Sequence, residues 1–198
     1  MRIFFCGVGA LGSTTAVLCR NLPAELAFAD HDRVESKNLL AQAYTRQAVG
    51  RNKAEALKLQ LHNFHGVKAE AFPVRLEETN IATVAGSADL LVDCLDNAPG
   101  RLLVSAYARE TGTPLVHAGL SGDGMFGLVR WDERFTPDAA DRPGQPTCEG
   151  GEHLPLIGLV CATLARVIQD HLADGIRRDA MVTLTGVRTT AEGETGGL

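Results

Sequence analysis

Gly7, Gly9 and Gly12 stand in the pattern G-x-G-x-x-G within "GVGALG", between an apolar run and a segment of helical composition. Glycines at this spacing permit a tight turn and let phosphate oxygens approach backbone N–H groups at a helix N-terminus. Asp30 ends the next apolar run, "ELAFAD", where a carboxylate can accept hydrogen bonds from ribose hydroxyls. These features point to a nucleotide without separating NAD from ATP, since both present a ribose and a phosphate chain. The residues that follow suit a triphosphate. Asn38 can donate to phosphate oxygens, and Lys53, early in a helix, can set an ammonium against them. Asp96, in "LLVDCLD", falls at the C-terminal edge of a strand, where ligands bind in open α/β sheets. A carboxylate there suits Mg²⁺, which takes one or two carboxylates together with phosphate oxygens. Hydride transfer to or from NAD has no use for these extra groups, and no acid–base residue stands out beside a nicotinamide position. An NAD-dependent oxidoreductase is therefore the weaker reading.

Holding these side chains at one edge requires strands that alternate with helices. "RIFFC" (2–6), "ELAFAD" (25–30), "VKAEAFPV", "ADLLVDCLD" (88–96), "PLVHAGL" and "GMFGLVRW" read as six strands, and "AMVTLTGV" as a last one. The fourth, "ADLLVDCLD", is nearly continuous in apolar residues, as a strand covered on both faces should be. "ALGSTTAVLCRNL", "NKAEALKLQLHNF" (52–64), "GRLLVSAYARETG" and "HLPLIGLVCATLARVIQDHLADG" read as helices, with Gly112 as the stop of the third. This order implies an α/β fold, a mainly parallel sheet with helices on both faces. Residues 132–152 are rich in Pro, Gly and Asp and too long for an idle connection. One domain is expected over 1–186, with 187–198 as a disordered tail.

The formal net charge of -5 repels phosphate polymers, so nucleic acid is not expected as a partner. No apolar run approaches the length of a membrane span, and Met1 leads almost at once into a strand rather than a secretory signal. A cytoplasmic protein without membrane partners is expected. The cysteines are Cys6, Cys19, Cys94, Cys148 and Cys161; an odd count without C-x-x-C pairs argues against both a disulfide framework and a zinc knuckle.

Taken together, "GVGALGS", "DHDRVESKNL", "GRNKA" and "DCLDNAPGR" resemble the ThiF/MoeB family, the bacterial relatives of ubiquitin-activating enzymes. The family pattern runs G-x-G-x-x-G-S, D-x-D-x-V-x-x-x-N-L-x-R-Q, G-x-x-K-A and D-x-x-D-N, and "HLPLIGLVCATLARVIQDHL" is similar to its P-x-x-G helix. The resemblance implies a Rossmann-like sheet with antiparallel strands added near the C-terminus, and a homodimer. It implies ATP and Mg²⁺ as cofactors and adenylation of the C-terminal glycine of a small ubiquitin-like or sulfur-carrier protein. Residue by residue, Gly7, Gly9 and Gly12 would form the phosphate turn, and Asp30 and Asp32 would hold the nucleotide. Asn38 and Lys53 would contact phosphate oxygens, and Asp96 would hold Mg²⁺.

Two departures bear on activity. Ala41 occupies the arginine position of N-L-x-R-Q, where the guanidinium would stabilise charge on the phosphates. The N-terminal helix whose arginine reaches the partner subunit's nucleotide in many relatives does not precede the first strand. Arg46 and Arg51 are the nearby substitutes, and Arg51, two residues before Lys53, is the better placed. Cys148 precedes Pro155 by seven residues, as in thiol-bearing members of the family, and is the candidate to attack an acyl-adenylate, with His153 near in sequence. A catalytically impaired relative that acts as a partner-binding module is the alternative reading.

Overall fold

The computed structural model describes residues 1–136 and 151–190. One eight-stranded sheet runs through it: β1 (Arg2–Cys6), β2 (Glu25–Ala29), β3 (Ala69–Phe72), β4 (Leu90–Asp93), β5 (Leu115–Leu120), β6 (Gly127–Trp131), β7 (Asp179–Thr183) and β8 (Gly186–Thr190). Their order across the sheet is β3-β2-β1-β4-β5-β6-β7-β8. The first five strands pair in parallel, and β5 through β8 continue antiparallel. The helices are α1 (Ala10–Leu18), α2 (Lys53–His65), α3 (Ile81–Ala85), α4 (Ala98–Thr111) and α5 (Leu154–Asp174).

Strand residues alternate between two cores. Ile3, Phe5, Leu26, Phe28, Leu90, Val92, Val116 and Ala118 face one side, where α1, α2 and α5 cover them. Phe4, Cys6, Ala27, Ala29, Leu91 and Leu115 face the other, beneath α3 and α4. Covering both faces is what makes these strands read as unbroken apolar runs. Each large side chain so buried contributes about 1.5–3 kcal/mol. Among the described residues the second core takes nothing from β6, β7 or β8, so the antiparallel extension is packed by α5 on one face only.

Two helix ends follow from their residues. Asn52 caps α2 by accepting the Glu55 N–H, and Gly112 ends α4 in the left-handed conformation at φ 70, as its position predicted.

Two expectations are corrected. "AMVTLTGV" is not a single strand: the chain turns after Thr183 and returns as β8, which takes residues 187–190 out of the expected tail. The turn is stabilised locally, with the Thr183 hydroxyl donating to the Gly186 carbonyl at 3.1 Å. Second, α5 is long and apolar enough to cross a membrane by length and composition, with a window of mean hydropathy 1.4, although no apolar run had been expected to approach that length. Its buried stripe (Leu156, Ile157, Val160, Cys161, Leu164, Val167 and Ile168) packs into the larger core, as an amphipathic core helix does. Two further elements, a 3-10 turn over Ser36–Leu40 and the short helix α3, carry no periodic signal in the sequence.

Candidate functional site

Gly7, Gly9 and Gly12 do three different jobs. Gly7 takes φ +84, and a side chain there would press on Cys94 and Leu95. A Cβ on Gly12 would lie 2.1 Å from the Gly7 carbonyl oxygen, so this glycine lets α1 close onto β1. The close packing of α1 on β1 is what excludes a side chain here. Around Gly9 nothing lies within 4 Å of a Cβ, and this open space is where a ligand can reach the turn. No side chain caps α1 at Gly9 and no acidic residue sits in its first turn. Its N-terminal N–H groups and the positive end of its dipole therefore face outward for an anion.

Asp30 closes the turn from below. Its carboxylate accepts the Val8 N–H and the Asp32 N–H, both at 2.9 Å. Burial raises its pKa above the ordinary value, and the nearby Lys53 charge and these two N–H groups offset that only in part. Lys53 opens α2 with 8% of its surface exposed, and its Nζ meets Asp32 Oδ2 at 2.9 Å. For Asp32, burial pushes the pKa up, but the Lys53 ammonium outweighs it and holds the carboxyl low. Asn38 is buried in its 3-10 turn, where its Oδ1 accepts the Glu35 N–H at 2.8 Å and its NH₂ is the end left for a ligand.

The segment between Asp30 and Lys53 is tied back over the glycines by residues the motif reading did not single out. The Tyr44 hydroxyl donates to the Val8 carbonyl at 2.6 Å, and Ser13 Oγ accepts the Ala43 N–H at 3.0 Å. Asn52 Nδ2 donates to the Asp30 carbonyl at 2.7 Å, joining the D-x-D segment to α2. An asparagine directly before a helix was the available signal for the last of these.

Asp96 follows β4 on an exposed loop. That loop lies against the glycine turn, since the Cys94 N–H donates to the Cys6 carbonyl at 2.9 Å. Asp30, Asp32, Lys53, Gly9 and the Asp96 loop thus share the C-terminal edge of β1, β2 and β4. Arg51 is exposed just before α2, and it lines a surface groove with Glu55, Lys58 and His62. Arg46 is exposed, and Ala41 is buried in the larger core. Cys148 lies outside the described residues.

Beside the Asp96 loop, α4 carries a polar stripe. Arg101, Ser105 and Arg109 are spaced four residues apart; Arg101 donates to Asp93, and Ser105 and Arg109 both donate to Asp132, which also meets His117. Burial pushes the Asp132 pKa up, but Arg109, Ser105 and His117 together outweigh it and hold the carboxyl below its ordinary range. Such a group stabilises the fold fully above the ordinary aspartate pKa of about 3.9, and that stability is lost as pH falls through the lowered folded value. Arg109→Ala is therefore expected to cost about 1–2 kcal/mol near pH 7 in urea melts, with the difference from wild type shrinking toward about pH 3. A difference that does not change with pH would contradict this.

The ThiF family model matches residues 1–191. The adenylyltransferase and sulfurtransferase UBA4 of Debaryomyces hansenii is 28% identical over 188 residues, covering 87% of this chain and 42% of that protein. The sulfur carrier protein adenylyltransferase of Thermus thermophilus is 41% identical over 91 residues, covering 45% of this chain and 34% of that one. The chain thus spans about two fifths or less of the length of these curated relatives. Among solved structures, E. coli MccB with ATP superposes with a TM-score of 0.77 at 16% identity, covering 98% of this chain and 64% of that one. The likeness extends over the parallel half and the antiparallel extension alike. A family match that runs from Met1 through β8 makes this chain a member of the ThiF family.

Proposed function

We propose that the chain binds ATP with Mg²⁺ and adenylates a carboxylate, the C-terminal glycine of a small ubiquitin-like or sulfur-carrier protein. The observation that carries this reading is the cradle at Gly9. Open space above it, an uncapped helix N-terminus and the Lys53 ammonium suit a polyphosphate, while the acidic Asp30 beneath suits hydroxyl donors. Family membership supports the same reading, as do relatives whose names state adenylyltransferase activity.

In the reaction so read, a carboxylate oxygen forms a bond to the α-phosphorus while the bond to the bridging oxygen breaks. Pyrophosphate leaves with the electron pair. Lys53 releases Asp32 and turns its charge to the phosphates, and Asn38 adds a neutral donor. Asp96, an exposed carboxylate beside the turn, fits Mg²⁺, which when bound supplies charge neutralisation at the phosphates. The same proposal has the Cys148 thiolate attack the carbonyl of the acyl-adenylate, forming a thioester as the bond to AMP breaks and AMP leaves, and has the chain assemble into a homodimer.

The test is product analysis by mass spectrometry after incubation with ATP, Mg²⁺ and ubiquitin-like proteins ending in Gly-Gly. Pyrophosphate and the carrier's acyl-adenylate are expected, with AMP released once a thiol or water takes the acyl group, and ADP with inorganic phosphate would overturn the reading. Ala41, buried in the core with no guanidinium to offer, favours a second reading, a partner-binding module that holds nucleotide without turnover. Nucleotide binding without any product would select it.

A further inference from the structure

Asp93 and His117 are polar residues in strands otherwise apolar on both faces. Asp93 ends β4 fully buried, and His117, 1% exposed, stands opposite it on β5. Their neighbours on the same face of the sheet are Leu91 and Leu115. Polar groups so placed are costly unless every one of them is bonded. Here they are bonded throughout. His117 Nδ1 meets Asp93 Oδ2 at 2.7 Å and its Nε2 meets Asp132 Oδ1 at 3.1 Å. Arg101 donates from Nη1 to Asp93 Oδ2 at 3.2 Å and from Nη2 to the Ala118 carbonyl at 2.9 Å. Phe135 stacks on the imidazole with ring centroids 3.9 Å apart, which fixes the ring plane.

One oxygen of this network leaves the core. Asp93 Oδ1 accepts the Leu95 N–H at 2.9 Å, and Leu95 directly precedes Asp96. The next residue, Asn97, caps α4 by accepting the Gly100 N–H. The loop that presents Asp96 is thus held at its start by the Asp93 carboxylate and at its end by a helix cap. At its other oxygen Asp93 is held by His117 at 2.7 Å and by Arg101 at 3.2 Å.

We propose that His117 is a positioning residue of the nucleotide site: clamped by Asp132 and Phe135, it fixes Asp93 and, through the Leu95 N–H, the loop that offers Asp96 to a divalent cation. The inference rests on the reading of Asp96 as the Mg²⁺ ligand. Groups that orient a ligand from behind typically change metal affinity by about 10–100-fold when removed.

Two amide substitutions separate the halves of the clamp. In His117→Asn the amide nitrogen lies near the place of Nδ1 and still donates to Asp93. In His117→Gln the longer side chain reaches toward Asp132 and gives up Asp93. The readout is the Mg²⁺ concentration that gives half-maximal ATP binding, by calorimetry on the full chain, so no acceptor protein is needed. His117→Gln is expected to raise it about tenfold or more, and His117→Asn to leave it within about twofold, though both lower the melting temperature. Ile168→Val, a truncation in the larger core on the opposite face, controls for lost stability and is expected to leave the Mg²⁺ response unchanged.

Equal Mg²⁺ responses in the two His117 variants would overturn the positioning role and leave the ATP reading standing. A wild type that binds ATP without regard to Mg²⁺ would overturn both. Should the variants fail to fold, wild-type protein carrying ¹⁵N-histidine answers instead. The His117 ring nitrogens are expected to shift when Mg²⁺ is added to the ATP complex, and unmoved resonances would overturn the proposal.

Discussion

Lys53→Met is expected to weaken binding of ATP with Mg²⁺ by about 10–100-fold while the domain stays folded. Methionine keeps the apolar stem that packs at the start of α2 and deletes only the ammonium. A hydrogen bond to a charged group is worth about 1.5–3 kcal/mol, and each 1.4 kcal/mol is tenfold in affinity. Lys53 stands toward the upper end because its surroundings exclude water: only 8% of it is exposed, against 53% for the side chain of its partner Asp32. That exposure makes the stability cost small, since Asp32 can be rehydrated where it stands. A loss of about 1 kcal/mol or less is expected in urea melts. Calorimetric titration of variant and wild type checks both statements. An affinity for ATP within twofold of wild type would remove Lys53 from the phosphate site.

Gly12→Ala is expected to be strongly destabilising, through backbone packing rather than through a side-chain contact with ligand. Its Cβ would fall 2.1 Å from the Gly7 carbonyl oxygen, and both are backbone positions that cannot rotate aside. Relief requires α1 to lift from β1, where Leu11 and Ala16 are buried. Overpacking of this kind costs about 3 kcal/mol or more. Gly9→Ala is the contrasting case, since its added methyl enters open space. It is expected to change stability by about 1 kcal/mol or less and to weaken ATP binding instead. Thermal melts together with titrations distinguish the two. Gly12→Ala melting like wild type, or Gly9→Ala binding like wild type, would contradict this division of the glycines.

That division could not be read from the motif. G-x-G-x-x-G marks where a turn must be tight, but which glycine faces solvent and which faces backbone is decided by the packing of α1 on β1. The strands β1, β2, β4 and β5 were legible because apolar cover on both faces writes itself as an unbroken apolar run, and β6 because its buried and half-buried residues alternate. The last strand, β8, was not: Gly186 to Arg188 and Thr189 are exposed at the edge of the sheet, so no burial pattern marks them. Arg51 lies before the Asn52 cap, outside α2, so its nearness to Lys53 in sequence does not fix where its side chain goes. His117 carried a faint signal as the one polar letter in "LVHAGL". Its partners stand 24 and 15 residues away, and only the sheet brings them together.

Calorimetric titration of the purified chain with ATP and with NAD, each with and without Mg²⁺, tests the central reading most directly. ATP binding that tightens in Mg²⁺, with no heat from NAD, is the expected result. Binding of NAD, or ATP binding indifferent to Mg²⁺, would contradict an adenylating site.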